Sequence, residues 1–181
     1  MDFLQLINQR QSDRQYIDKP VDREIINKCI EAARLAPSAS NSQPWKFIVI
    51  DDLEIKNKVA KKTFGPLKSF NKFVPQAPVI IAIVLEKPKL TTELGGRLKN
   101  KEFPLIDIGI AAEHICLQAA EEGVGSCMFG WFDEKAVKTL LDVPKKKDIP
   151  LLITLGYTPT DYKHRKKIRK KKDDVIKYNS Y

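Results

Sequence analysis

The chain has 181 residues, of which 43% are hydrophobic, and this length and composition fit one folded domain with a sizeable core. Its three cysteines lack CxxC spacing, which argues against a disulfide framework or a zinc site and favours a reducing cytoplasm. The net charge of +9 raises the question of a polyanionic partner, but no nucleic-acid-reading motif accompanies it.

Helix and strand patterns alternate along the first third of the chain. Apolar spacing predicts a short helix over 2–9 and a longer helix over 22–35, capped by its first residue and stopped by Pro37. A strand rich in β-branched and aromatic residues follows over 45–50. A further helix is predicted over 51–62, with Asp51 or Asp52 as its N-cap.

The rest of the chain adds buried strands and one long helix. The apolar runs 79–85 and 151–157 predict strands covered on both faces, and the first, the longest apolar run, is far too short to span a bilayer. Between them, 86–101 reads as a charged surface loop or lid, 105–122 as the central core helix, and 133–141 as a short helix. Such alternation without repeats indicates an α+β or α/β layered domain.

The stretch 36–47, APSASNSQPWKF, has an unusual composition for a connector. Pro37 and Pro44 bracket small and amide side chains next to the aromatic Trp45. Small residues admit the face of a ring and amides pair its polar edge, so the stretch suits a flat heterocyclic ligand. Taken alone, a capped turn between two elements is the simpler interpretation.

A basic run, KHRKKIRKKK, occupies 163–172, and three more lysines stand at 145–147. Such a run is usually a solvated face. It also has two functional interpretations, binding of nucleic acid and pairing with a phosphate in the protein's own site, although no RNA-binding motif with interleaved aromatic residues supports the first.

The sequence contains no recognisable independent catalyst. A nucleophile elbow, an HExxH motif and a phosphate loop are all absent, so we assign no catalytic residue and no metal ligand. If the protein is an enzyme, a cofactor must carry the chemistry.

Four separated segments, taken together, resemble the nitroreductase family of flavoproteins, and the resemblance covers nearly the whole chain. The segments are RQSDR at 10–14 with Tyr16, APSASNSQPWKFIVI at 36–50, EEGVGSCMFGWFDE at 121–134, and LGYTP at 155–159 with the tail ending RKKKDDVIKY. The resemblance implies an α+β fold, a three-layer α/β/α sandwich with a mainly antiparallel sheet. It further implies a single domain over 1–181, entwined in a homodimer with FMN at the interface.

The resemblance also implies which residues contact FMN. In the family the N-terminal pentad, 10–14, lies at the phosphate and the ring edge, and here it includes Gln11. Arg10 suits bidentate pairing with phosphate, and Ser12 adds a hydroxyl. Arg14 matches the cation beside flavin N1 and the C2 carbonyl, where it would stabilise the anionic reduced ring.

The remaining implied contacts form three groups. The loop that reaches the flavin held mainly by the other subunit matches Pro37, Ser38, Ala39, Asn41 and Gln43. The loop over the ring near flavin N5 matches Met128, Phe129, Gly130 and Trp131. The basic pair that completes the phosphate site matches Arg169 and Lys170, within an extension over 163–181 that is expected to reach the partner subunit.

The activity implied by the resemblance is FMN-dependent NAD(P)H oxidation by a ping-pong cycle. NADH or NADPH reduces the flavin at N5, and a nitroaromatic, quinone or similar small acceptor then takes its place. The short 86–101 segment argues against the deiodinase branch, whose lid grips the substrate. The alternative is a flavin-carrying or basic nucleic-acid-binding protein without physiological turnover, supported by the basic run at 163–172.

Overall fold

A computed structural model of the protein describes residues 2–64, 71–88 and 101–181. The α-helices of these residues are α1 (Phe3–Gln9), α2 (Arg23–Arg34), α3 (Leu53–Lys61), α4 (Phe103–Glu121) and α5 (Glu134–Leu140). The strands are β1 (Trp45–Ile50), β2 (Val79–Leu85), β3 (Gly125–Phe129) and β4 (Leu151–Gly156). Short 3₁₀ turns lie at Ala39–Asn41, Val74–Gln76 and Lys172–Asp174.

Aspartates occupy the cap positions of four of the five described α-helices, and three of them accept backbone N–H groups. Asp2 and Gln5 form a reciprocal capping box on α1, and the carboxylates of Asp52 and Asp133 accept backbone N–H groups in the first turns of α3 and α5. Asp22 occupies the cap position of α2, but its side chain makes no capping hydrogen bond. The predicted start of α2 and its N-cap position are therefore confirmed, although Asp22 does not stabilise the first turn through its side chain.

The four strands form one antiparallel sheet in the order β1-β2-β4-β3. β2 is hydrogen-bonded on both sides, and Ala82 pairs with Ile48 of β1 and with Leu152 of β4. Because helices cover both faces of the sheet, the inner strands carry continuous apolar runs.

Alternate residues of β2 divide the core into two layers. Ile81 and Ile83 pack in a cluster with α2 and α4, whereas Ile80 and Ala82 pack in a cluster with α3 and α5. The protein is thus an α/β/α sandwich with an antiparallel sheet, which confirms the predicted α+β architecture.

The longest helix, α4, begins two residues before its predicted start because Pro104 fits the first turn of a helix. It ends before Gly123, whose φ of +71° suits the turn that follows. By length and composition alone α4 could cross a membrane, but Ile108, Ala112 and Ile115 are buried against the rest of the core. That packing is typical of the core helix of a soluble domain.

Strand β3 differs from the prediction, because the family resemblance implies a loop at Met128 and Phe129. Gly123, Gly125 and Gly130 give this segment the composition of a turn. It nevertheless forms the edge strand of the sheet and pairs with β4 over five residues. The predicted surface loop or lid over 86–101 lies mostly outside the described residues, which end at 88 and resume at 101.

Candidate functional site

The pentad 10–14 lies along the outer edge of β3. Ser12 forms a parallel bridge with Ser126, and the Asp13 N–H donates to the Ser126 carbonyl over 2.8 Å. The Ser126 N–H in turn donates to the Asp13 carboxylate over 3.2 Å. The pentad therefore covers part of an edge that would otherwise expose unpaired backbone groups.

Tyr16 ties the end of the pentad to the middle of the sheet. Its buried hydroxyl donates to the Asp13 carbonyl and lies 2.8 Å from Thr154 Oγ1 of β4. A Cβ at Gly156 would lie 2.8 Å from the Tyr16 ring and 2.7 Å from Pro78, so this position requires glycine. Gly156 of the LGYTP motif and Tyr16, which follows the RQSDR motif, therefore pack directly against each other.

Asp13 is the most deeply buried acid of the pentad region, with 7% of its surface exposed. Burial raises the pKa of its carboxyl group. The hydrogen bond from the Ser126 N–H, the Gln11 amide beside the carboxylate, and the nearby His164 and Arg165 only partly oppose this shift. A Cβ at Gly125 would lie 2.8 Å from Asp13 Oδ2, so the strand needs glycine here to admit the carboxylate. Sequence reasoning gave Asp13 no role.

Cations gather at the N-terminal end of the pentad. Arg10 pairs with Glu113 of α4, and Lys167 Nζ donates to the carbonyls of Ile7 and Arg10. The pKa of Lys167 is lowered by desolvation and by the neighbouring Arg169 and Arg10. The positive charge of this cluster therefore exceeds what the single carboxylate of Glu113 can balance.

Two buried donors in this cluster have no hydrogen-bond partner among the described residues. They are Arg10 Nε and Gln11 Nε2. The Gln11 amide is oriented by its other end, because Oε1 accepts the N–H of Arg165 over 3.2 Å. Unpaired buried donors are costly, so their presence beside excess positive charge favours a ligand with anionic or acceptor oxygens.

The loop 37–43 is held in a strained shape. Ser40, Asn41 and Gln43 have φ values of 52°, 51° and 46°, which non-glycine residues seldom adopt. The Ser38 hydroxyl accepts the Gln43 N–H, and the Gln43 amide donates to Asn41 Oδ1. Such local strain is typical of binding loops whose side chains must point in set directions.

Asp107 anchors this loop to α4. Its side chain is buried, with 4% of the residue exposed. Both carboxylate oxygens accept the Ala39 N–H, with N···O distances of 3.1 and 3.2 Å. Asp107 is not among the predicted site residues. Glu113, which holds the pentad, lies six residues farther along, about 9 Å along the axis and on another face. The loop and the pentad are therefore held at different points along α4 and on different faces of it.

The other predicted site residues lie at the ends of β3 and in the tail. Met128 and Phe129 belong to β3, whereas Gly130 and the exposed Trp131 follow it, with a Cβ at Gly130 only 3.3 Å from the Pro150 carbonyl. Arg169 and Lys170 are both exposed. Within the basic run, Arg165 and Lys167 contact the pentad, and neither is among the predicted site residues, because a run of similar cations does not show which of them will face the pentad.

Comparison with known proteins shows the family of this chain. Residues 7–157 match the model of the nitroreductase family. The chain belongs to the nitroreductase family. A relative from Archaeoglobus fulgidus, provisionally named an NADH dehydrogenase/NAD(P)H nitroreductase, is 35% identical over 169 residues and matches 88% of this chain and 87% of its own. The resemblance inferred from the motifs is thereby confirmed.

Solved nitroreductase structures share the fold. A nitroreductase family protein from Clostridium novyi NT is 32% identical, with a TM-score of 0.79 over 88% of this chain and 87% of its own. An FMN-dependent nitroreductase from Clostridium difficile R20291 is 28% identical, with a TM-score of 0.76 over 99% of this chain and all of its own (100%). The likeness thus extends over nearly the full length on both sides.

The buried carboxyl group of Asp13 predicts a pH-dependent stability. Because its pKa is raised in the folded state, protonation of Asp13 stabilises the fold. This stabilisation is complete below the unfolded pKa of about 4 and is lost as pH rises through the folded pKa. We expect the melting temperature of Asp13→Asn, relative to wild type, to increase between pH 4 and pH 7. Thermal unfolding followed by circular dichroism measures it.

The matched control for this prediction is Asp18→Asn, which changes an exposed aspartate nearby. Its melting temperature relative to wild type should vary less with pH. An Asp13→Asn difference that stays constant across the range would contradict the assigned burial of the charge.

Proposed function

We propose that the protein is an FMN-dependent oxidoreductase that passes a hydride from NADH or NADPH to a small acceptor such as a nitroaromatic compound or a quinone. The observation that carries this proposal is the cation cluster around Arg10, with its buried unpaired donors, in a chain of the nitroreductase family. The printed names of the Clostridium difficile and Archaeoglobus fulgidus proteins support FMN and NAD(P)H, respectively.

The cation cluster suits the phosphate of FMN. Arg10, Lys167 and Arg169 would hold it, since a phosphate carries about two negative charges and guanidinium groups pair with its oxygens in a bidentate manner. Ser12 and Gln11 would add a hydroxyl and an amide donor. Glu113 pairs with the Arg10 guanidinium and so restricts its position.

The other end of the pentad suits the isoalloxazine ring. The Arg14 N–H donates to the Tyr162 hydroxyl over 3.2 Å, which fixes its backbone. Burial raises the pKa of the Cys127 thiol on β3, and the Arg14 guanidinium opposes that shift, so the cation faces this strand. In this position Arg14 would stabilise negative charge on a reduced ring. Cys127 is buried and serves as a packing residue.

FMN, when bound, supplies the hydride chemistry by accepting two electrons and passing them on. The protein groups bind the flavin, orient it and tune its charge, and we assign no catalytic acid or base. In a ping-pong cycle the nicotinamide and the acceptor use the same ring face in turn, which requires no separate dinucleotide-binding motif. This mechanism and the class of acceptor are proposed for the chain from its family.

The site requires a second subunit. The pentad and loop 37–43 lie on different faces of α4 within one chain, so we propose that the loop serves the flavin of a partner in a homodimer. Exposed apolar side chains on the neighbouring helices α1 and α4 support such an interface, including Phe3 at 64% and Ile106 at 55% exposure.

The tail divides into two parts with different contacts. Residues 162–167 contact the pentad of the same chain, so only the remainder of the predicted extension, 168–181, is available to reach the partner. This use of Arg165 and Lys167 also weakens the nucleic-acid alternative, because two cations of the basic run pair with backbone carbonyls. The three cysteines are free and buried, which is consistent with a cytoplasmic location.

The principal test is spectroscopic. Purified protein should be yellow, lose its flavin absorbance when NADH or NADPH is added without oxygen, and recover it when a nitroaromatic compound or quinone follows. Steady-state rates with both nucleotides and a panel of acceptors identify the preferred pair. Colourless protein that FMN cannot reconstitute would refute the proposal.

Arg14→Ala should change the flavin without changing the dimer. Loss of the cation beside the reduced ring should make the midpoint potential about 20–40 mV more negative, equivalent to about 1–2 kcal/mol for a two-electron couple. Arg14→Lys, which keeps the charge, should retain most of the wild-type potential. A dye-equilibration titration measures both, and an unchanged potential in Arg14→Ala would exclude the assigned role.

Removal of 173–181 tests the dimer. This segment exposes Val175, Ile176 and Tyr178, which a partner subunit would cover. We expect a melting temperature several degrees lower and partial release of FMN, with Lys177→Ala in the full chain as the control. Sedimentation and flavin content measure the result, and a truncated protein that stays dimeric and fully loaded would show that the tail has another role.

A further inference from the structure

A strap of chain, residues 162–167, crosses the pentad on the edge opposite β3. The Asp13 N–H points to β3, where it donates to Ser126. Because the peptide group is trans, the Ser12 carbonyl points the other way, and there it accepts a hydrogen bond from the guanidinium of Arg165. The pentad is thus held between a strand on one side and the strap on the other.

Arg165 makes two contacts with the pentad, and both fix groups next to the candidate ligand site. Its backbone N–H donates to Gln11 Oε1 over 3.2 Å, while its Nη2 donates to the Ser12 carbonyl. The first contact sets which end of the Gln11 amide faces the tail and leaves Nε2 as a buried donor. The second contact holds the backbone between Arg10 and Arg14.

The ends of the strap hold the ends of the pentad. The Tyr162 hydroxyl accepts the Arg14 N–H, and Lys167 Nζ donates to the carbonyls of Ile7 and Arg10. These contacts go to the backbone of the pentad, which has one β-bridge to the sheet among the described residues, at Ser12. A segment with so few ladder hydrogen bonds opens readily unless other contacts hold it.

We propose that Arg165 is a positioning residue for the flavin site. It keeps the Gln11 amide and the Ser12 backbone in the arrangement that places the pentad side chains around the cofactor, and it does so without touching the cofactor. This inference rests on the proposed function. It gives Arg165 a role different from that of Lys167, which lies two residues farther on and next to Arg10 and Arg169.

Comparison of FMN with riboflavin separates the two roles, because riboflavin lacks the phosphate. The full-length protein is stripped of flavin and titrated with each compound while flavin fluorescence is followed. Arg165→Ala should raise the Kd of both by the same factor, about tenfold for one charge-assisted hydrogen bond. Arg165→Lys should restore most of the affinity. Lys167→Ala should weaken FMN by a larger factor than riboflavin, because Lys167 holds the pentad backbone and also lies in the cation cluster proposed for the phosphate.

The matched control is Lys166→Ala, which removes an exposed charge from the strap between the two residues. It should change neither Kd. If Arg165→Ala weakens only FMN, Arg165 is a phosphate ligand and the proposal is wrong. It is equally wrong if Arg165→Ala changes neither affinity.

Hydrogen exchange of the flavin-free protein distinguishes failure of this inference from failure of the proposed function. In Arg165→Ala, the amides of Asp13 and Arg14 should exchange faster than in wild type and in Lys166→Ala, with little change in melting temperature. If wild type binds neither flavin, the proposed function fails and this exchange alone decides the positioning role. Unchanged exchange at both amides would overturn it.

Discussion

The pairing of Asp13 with Ser126 at the edge of β3 is the contact on which the candidate site depends. It places a carboxylate in the interior, which is tolerated because two backbone N–H···O bonds, one in each direction, lock the segment to the strand. Glycine at 125 leaves room for the carboxylate, and Tyr16 fixes the adjoining carbonyl to β4. This anchoring fixes the backbone from which the pentad side chains project.

The basic residues of the chain have different roles, which the composition alone does not show. Arg165 and Lys167 pair with backbone carbonyls, and Arg10 pairs with a glutamate, so part of the basic character supports the site from within. The cation excess then remains next to the two unpaired donors, where an anion gains most from it. Net charge alone raises the question of a polyanionic partner, but the contacts of these residues indicate that they support the pentad and the candidate ligand site.

The sequence predicted the architecture because its strongest signals are local. Continuous apolar runs predict β2 and β4, and aspartates predict the starts of several helices. Strand β3 is not predicted, because the reason for Gly125 is the carboxylate of Asp13, which is far away in the sequence. Family motifs selected the pentad and loop 37–43. They did not reveal Asp107 or Arg165, because neither role is visible until the tertiary structure brings each residue to the loop or the pentad that it holds.

The separation of the strap from the pentad has a consequence for synthesis of the protein. Their contact joins residues 154 positions apart, so a ribosome that has made the pentad, both central strands and α4 has not yet made Arg165. Contacts of such long range form late in folding. After release of the chain, the contacts within the sheet and α4 do not depend on Arg165, whereas the cation cluster is complete only once the two ends of the chain have met.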